Sequence, residues 1–166
     1  MTGIKSVSTI KNYWDYFQQS FLFFKLSLFA YSVKKQIYNP AKNYCIDVQL
    51  ANQIGFFMTR DEGRVLENLV FLELRRRGKE IYYHKGRGEC DFVVKEGRKV
   101  RAAIQVCHEL HDQNQEREVE GLLEAAKAYK LKKGCILTED DEKQFKKEGV
   151  LISVIPLWKW LLQQEI

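Results

Sequence analysis

Between residues 80 and 107 the chain alternates short apolar runs with turn residues, and this interval limits the fold more than any other. Glu80–His84, Glu89–Val94 and Val100–Cys107 each have the length and composition of a strand. Gly86-Arg87-Gly88 separates the first two, and Lys95–Lys99, with Gly97 inside it, is a hairpin turn into the third. An amphipathic helix is expected on either side. In residues 59–77, Val65, Leu66, Leu69, Val70, Leu72 and Leu74 cover one broad face; Thr59 and Glu62 have capping-box spacing, and Gly78 ends the run. Glu73 projects from the middle of that face and needs a partner if buried, which Arg75–Arg77 or His84 could supply. Residues 113–130 carry Val119, Leu122, Leu123 and Ala126 along one side. Gly134–Leu137 and Val150–Ile155 read as further strands, and Pro156 opens a short helix holding Trp158 and Trp160, read as core or interface residues. The order α-β-β-β-α-β predicts an α/β fold with a central mixed sheet flanked by the two long helices.

The N-terminal third reads differently. Ile10, Tyr13, Trp14 and Phe17 recur at helical spacing over Ser8–Ser20. Phe21–Tyr31 and Tyr44–Asp47 are expected strands, with a turn around Lys34, Lys35, Asn39 and Pro40 between them. A helix followed by a two-stranded ribbon is the back half of a winged helix, so residues 1–56 are expected as a partial winged-helix segment and 57–166 as the main domain. With 45% apolar residues and 30% charged ones among 166, the chain can bury a core and is no disordered tail. The apolar run Phe21–Val33 contains Lys25 and is too short to cross a bilayer, and no signal peptide is recognisable. A cytoplasmic protein without membrane contact is expected. Cys45, Cys90, Cys107 and Cys135 lack the spacing of a disulfide scaffold or a zinc site and read as free thiols.

Net charge is +5, and its placement matters more than its size. Residues 75–101 hold ten Lys or Arg against four acids, while the rest of the chain holds 17 against 18. Such a local basic field suits a polyanion. Arg75, Arg76, Arg77, Lys85, Arg87, Lys99 and Arg101 are therefore the candidate nucleic-acid contacts.

Strand alternation places Glu89, Asp91 and Val93 on one face, with Cys90, Phe92 and Val94 on the other. If Phe92 and Val94 pack with Ile104 and Val106, then Asp91, Gln105 and Cys107 converge opposite them, with Glu67 approaching from the preceding helix. Gly63-Arg64-Val65-Leu66-Glu67, then Gly88-Glu89-Cys90-Asp91, then Ile104-Gln105-Val106-Cys107 resembles the PD-(D/E)xK nuclease superfamily over about residues 60–139. The chain as a whole is similar to the C-terminal region of a family of prokaryotic predicted AAA+-type ATPases, where phrases like Glu67–Leu74 recur after a winged-helix piece. No GxxxxGK[ST] occurs, so no P-loop ATPase activity is expected of this chain.

The resemblance implies a restriction-endonuclease-like core in which Glu67, Asp91 and Gln105 hold Mg²⁺ or Mn²⁺. Cys107 stands where that superfamily has its lysine, and Gln105 where an acid is commonest. A neutral thiol cannot supply the lysine's charge; Arg101 and Arg117 are the candidate replacement cations. The expectation is a nucleic-acid-associated accessory domain with a degenerate site, little or no nuclease activity, and DNA and an ATPase module or homologous subunit as partners. The alternatives are an active Mg²⁺-dependent DNA endonuclease and a protein-interaction or oligomerisation module on a nuclease scaffold.

Overall fold

The computed structural model describes residues 6–53 and 62–163. Helix α1 (Val7–Gln19) lays Trp14 and Phe17 against Phe23 of strand β1 (Phe23–Leu26). β1 pairs antiparallel with β2 (Lys42–Cys45), Phe23 opposite Cys45 and Leu26 opposite Lys42. The expected strand over Phe21–Tyr31 is thus only four residues long in its ribbon. Phe21 has a left-handed φ of 57°, which breaks the extended run before it begins, and after Leu26 the chain leaves the ribbon to bridge from Leu28 to Tyr83. The expected turn between the strands contains a helix, α2 (Val33–Tyr38). Lys34, Lys35 and Gln36 favour helix, and Pro40 forces only Asn39 into extended backbone. The second expected strand ends at Cys45, and a further helix, α3 (Val48–Gln53), begins directly after Asp47. There Asp47 Oδ1 accepts the N–H groups of Gln49 and Leu50 and starts the helix.

The main unit follows the expected order: α4 (Glu62–Arg76), β3 (Glu80–Lys85), β4 (Glu89–Glu96), β5 (Lys99–Val106), α5 (Asp112–Ala128) and β6 (Lys133–Thr138). Thr59 and its capping-box role lie outside the described residues. After β6 come β7 (Lys143–Lys147), β8 (Val150–Pro156) and α6 (Leu157–Leu162). The six-stranded sheet has the order β3-β4-β5-β6-β8-β7. β4 runs antiparallel to both β3 and β5, β6 runs parallel to β5 and β8, and β7 is antiparallel to β8. The sequence pattern misses β7 because Lys-Gln-Phe-Lys-Lys has almost no apolar alternation. Its signal was the turn: Glu148 and Gly149 both have positive φ, 50° and 83°, the geometry of a two-residue hairpin.

The sheet lies between two helical layers. On one side Val70, Phe71 and Leu74 of α4 pack on Phe92, Val94, Ile104 and Val106. On the other, Val119, Leu122 and Ala126 of α5 pack on Val93, Ala103, Ile136 and Ile152. Cys90 lies on the α5 side, not with Phe92 and Val94 as alternation predicts. The cause is a bulge: Tyr82 faces Val93 while His84 faces Cys90, so Asp91 and Phe92 together oppose Tyr83.

The N-terminal ribbon shares this core. Tyr44 stacks on Phe71 with ring centroids 4.1 Å apart. The Cys45 N–H and C=O bond the Asn68 side-chain amide, each at 2.9 Å. Phe29 packs edge-on against Tyr82 and Tyr129. Residues on both sides of the expected 56/57 division therefore bury one another, while the division itself falls among residues that are not described. Glu73 is buried, and of its candidate partners it binds Arg76 and Arg77, with the Arg77 guanidinium 4.4 Å over the Trp160 ring. The hydrogen bonds from Arg76, and then Arg77, hold Glu73 at about 2.

Helix α5 meets the start of β4 through glycines. A Cβ on Gly121 would lie 2.0 Å from the Glu89 carbonyl oxygen, and one on Gly88 would lie 2.9 Å from Gly121 Cα. Glu124 on the same helix accepts the N–H groups of Arg87 and Gly88, which fixes the turn leading into Asp91. Backbone cannot yield as a side-chain tip can. Gly121→Ala is therefore expected to destabilise the protein by about 1–3 kcal/mol, despite the better helix propensity of Ala. Urea unfolding measures it, and an unchanged midpoint would mean that α5 is free to move off β4.

Candidate functional site

Where β4 begins and β5 ends, the sheet opens into a cleft of about 650 Å³ between α4 and α5. Glu67, Asp91, Gln105 and Cys107 all line it. They do not aim at one point. Glu67 comes from α4 and Asp91 from the bulge in β4, and both carboxylates turn to a residue that the sequence pattern did not mark, Lys42 of β2. Lys42 Nζ donates to Asp91 Oδ1 at 2.7 Å and to Glu67 Oε1 at 2.9 Å, and lies 2.9 Å from Glu89 Oε1. An ammonium has three protons, and three carboxylates surround this one. Tyr44, two residues along the same face of β2, donates its hydroxyl to Glu67 Oε1 at 2.7 Å. The second Asp91 oxygen accepts the Val106 N–H at 2.9 Å, which ties β4 to the end of β5.

Gln105 faces the other way. Its Oε1 accepts the Asp91 N–H at 3.2 Å and its Nε2 donates to Glu118 Oε2 of α5 at 2.7 Å. Glu118 is buried and also binds the exposed Arg117, at 2.5 Å. The Gln105 amide is thus spent as a strut between β4 and α5. Burial, reinforced by Glu118, pushes the Cys107 thiol up to about 12, so it stays neutral. Burial and repulsion from Glu67 push Asp91 up to about 7, against the pull of Lys42. Burial opposes the Lys42 charge, but Asp91 and Glu67 outweigh it and hold the ammonium above the ordinary lysine value. Burial and Glu67 likewise raise the Tyr44 phenol, which remains a donor. Among the described residues no group of three or more His, Cys, Asp or Glu side chains is arranged to hold a metal ion. The expected Mg²⁺ or Mn²⁺ set does not fit as it stands, because Lys42 takes Glu67 and Asp91 while Glu118 takes Gln105.

The expected basic contacts divide into separate groups. Arg87 borders the cleft, and Lys85 pairs with Glu89 at 3.0 Å. Arg75 covers the Phe24 ring, and Arg76 is exposed beside Glu73. Arg77 is a correction: its side chain is 7% exposed and belongs to the core. Lys99 and Arg101 are exposed at the hairpin end of β5. Arg101 is also misplaced as a replacement cation, since four residues of strand put it about 13 Å from Gln105. Of the two candidate replacements, only Arg117 lines the cleft.

The sequence profile of the domain of unknown function DUF4143 matches residues 62–160. The chain belongs to the DUF4143 family. This DUF4143 chain is 40% identical over 165 residues to the uncharacterized protein MJ1544 of Methanocaldococcus jannaschii, a match covering 92% of the chain and 36% of that protein. It is 29% identical over 156 residues to an uncharacterized protein of Haemophilus influenzae, covering 93% of the chain and 37% of that protein. The chain therefore spans little more than a third of the length of these relatives. No described helix of the DUF4143 chain is long and apolar enough to cross a membrane.

Two predictions follow from the ion cluster. Lys42→Ala leaves three carboxylates facing one another and is expected to destabilise the protein by about 3–5 kcal/mol in urea unfolding. The second concerns pH. Asp91 releases its proton near 7 when folded but near the ordinary aspartate value when unfolded. Its contribution to stability is complete below the unfolded value and declines as pH climbs toward 7. Asp91→Asn should remove that part of the slope, seen by comparing unfolding midpoints at acidic and neutral pH.

Proposed function

We propose that this domain is a nucleic-acid-associated accessory module of an ATPase-type protein, built on a nuclease-like scaffold whose catalytic site has become a structural ion cluster. The observation that carries this reading is the Lys42 ammonium between Glu67, Glu89 and Asp91. Phosphodiester hydrolysis of the PD-(D/E)xK kind needs a metal-held water and a cation that offsets the growing phosphate charge. Here the carboxylates expected for the metal are engaged by Lys42, Gln105 is bound to Glu118, and the lysine position holds a neutral thiol. Each departure alone weakens catalysis; together they favour a scaffold role.

Association with an ATPase draws support from the family, whose domain typically forms the C-terminal region of AAA-ATPase-like proteins, and from the greater length of the relatives. The nucleic-acid part rests on the exposed cations Arg98, Lys99 and Arg101 at the hairpin end, with Lys85 and Arg87 near the cleft. A second reading, a protein-interaction module, draws on a different observation. Val7, Ile10, Tyr16, Phe21, Ile37 and Tyr38 of the N-terminal segment are all exposed, an apolar surface suited to a protein partner.

Salt-sensitive DNA binding separates the readings. The parent chain is expected to bind duplex or branched DNA at low salt, with log K falling against log salt by roughly 0.9 per phosphate neutralised. Arg98→Glu, Lys99→Glu and Arg101→Glu together should weaken binding and flatten that slope. No binding at low salt would favour the interaction module. Metal-dependent cleavage by the parent, lost in Asp91→Ala, would establish an active endonuclease instead.

A further inference from the structure

We infer that the nucleic-acid surface lies at the end of the sheet opposite the cleft, where three loops from different parts of the chain form one basic face that takes a phosphate backbone. The inference rests on the nucleic-acid reading proposed above and says where on the molecule the backbone is held.

The face follows from strand direction. β5, β6 and β8 run parallel, so all three begin at the same end of the sheet. The segments that lead into them therefore meet there: the β4–β5 turn, the connection from α5 to β6, and the β7–β8 turn. The first brings Arg98, Lys99 and Arg101, the second Lys130, Lys132 and Lys133, and the third Lys146 and Lys147, all of them exposed. Residues 75–101 contain only the first of these loops. Leu151 is opposite Lys133 on one side and Lys146 on the other, so these two lysines share a face two strands apart, about 10 Å. From β5 to β7 the face is about 14 Å wide, roughly four base steps of duplex.

The acids at this end are already taken: Lys95 holds Glu80, Lys79 holds Glu96, and Lys127 pairs with Glu148. The cations of the three loops have no carboxylate partner among the described residues. The exposed large apolar side chains of the described residues lie elsewhere, in the N-terminal third, on α4 and on α6. A cationic face without apolar side chains suits phosphates; it has nothing to insert into a bilayer and no apolar centre for a protein interface. The cleft end carries the opposite charge. Glu67, Glu89, Asp91 and Glu118 line the cleft, and β6 finishes there in Glu139-Asp140-Asp141-Glu142, with the Glu139 N–H on the His108 carbonyl at its rim. A phosphate backbone is drawn to the loops and repelled by these carboxylates. The eight residues of β5 separate the two ends by roughly 25 Å. Nucleic acid held by the loops is thus out of reach of the Asp91 cluster.

The test is binding to a duplex oligonucleotide, followed by fluorescence anisotropy as salt is varied, in the parent chain and in double variants of equal charge change. Lys132→Glu with Lys133→Glu is expected to weaken binding on the order of tenfold at about 0.1 M salt and to flatten the plot of log K against log salt by about 2. Lys34→Glu with Lys35→Glu, on the exposed α2, should stay within about twofold of the parent, because charges beyond a Debye length are screened. Lys85→Glu with Arg87→Glu, near the cleft, should cost less than the loop pair. Thermal unfolding shows which variants are folded. If the Lys132 and Lys133 variant is not, Lys146→Glu with Lys147→Glu, from a different loop, must show the same loss, and a folded variant without it overturns the proposal. So does a cleft pair that costs more than the loop pair, or an α2 pair that costs as much; DNA binding by the parent would then stand with its surface elsewhere. A parent that binds no DNA removes both readings. Phosphatidylserine vesicles bound as tightly as DNA at the same salt would overturn the choice of nucleic acid in favour of a membrane surface.

Discussion

Three carboxylates brought together at the edge of one cleft repel one another, and the ammonium of Lys42 is what permits Glu67, Glu89 and Asp91 to share the end of the sheet. The position of the N-terminal ribbon follows from it. Lys42 and Tyr44 project from the same side of β2, so anchoring one orients the other, and Tyr44 then stacks on Phe71 in the α4 core layer. Glu67 and the Asn68 amide sit side by side on α4, so one turn of helix receives both the charge and the backbone of β2. The protein thus ties its first third to its main unit through charge and backbone pairing as well as apolar contact.

A second constraint acts from the opposite face. Gly121 lets α5 touch the backbone of β4, and Glu124 on that helix caps the turn before Glu89. Asp91 is two residues past the point of contact. Its carboxylate is then fixed by the Val106 N–H, and its own N–H by Gln105. The cleft is therefore set by packing on both faces of one bulged strand. A substitution at the α5 contact would move the same carboxylates as one in the ribbon.

Much of the main unit was legible because its signals are local. The apolar face of residues 62–76, the glycine turns at 86–88 and 97, and the alternation in β4 and β5 each act over a few residues, and together they specify the α-β-β-β-α-β order. What escaped reading depends on long-range contact. Lys42 meets Asp91 across 49 positions, and no local pattern distinguishes it from Lys34 or Lys35. Glu118 carries no mark separating it from its exposed neighbours Glu116 and Glu120 until α5 is laid against Gln105. Cys90 was assigned to the wrong face because strict alternation ignores the extra residue that the Asp91–Phe92 bulge inserts. Arg77 counted as a surface cation because a charged residue next to Arg75 and Arg76 gives no hint of the Trp160 ring above it.

The charge pattern that hid β7 also decides how the sheet ends. Lys143, Lys146 and Lys147 line the strand that closes one side, and the other side is covered where Ser27 and Phe29 exchange backbone hydrogen bonds with Tyr83. A foreign strand that approached β7 would have to bring its backbone against a row of ammonium groups, and at β3 it would find part of the hydrogen-bonding edge already taken. Two differently guarded edges keep a six-stranded sheet from templating its own growth. A protein that shows so many aromatic side chains to solvent can then associate through those side chains without recruiting neighbours into a fibre.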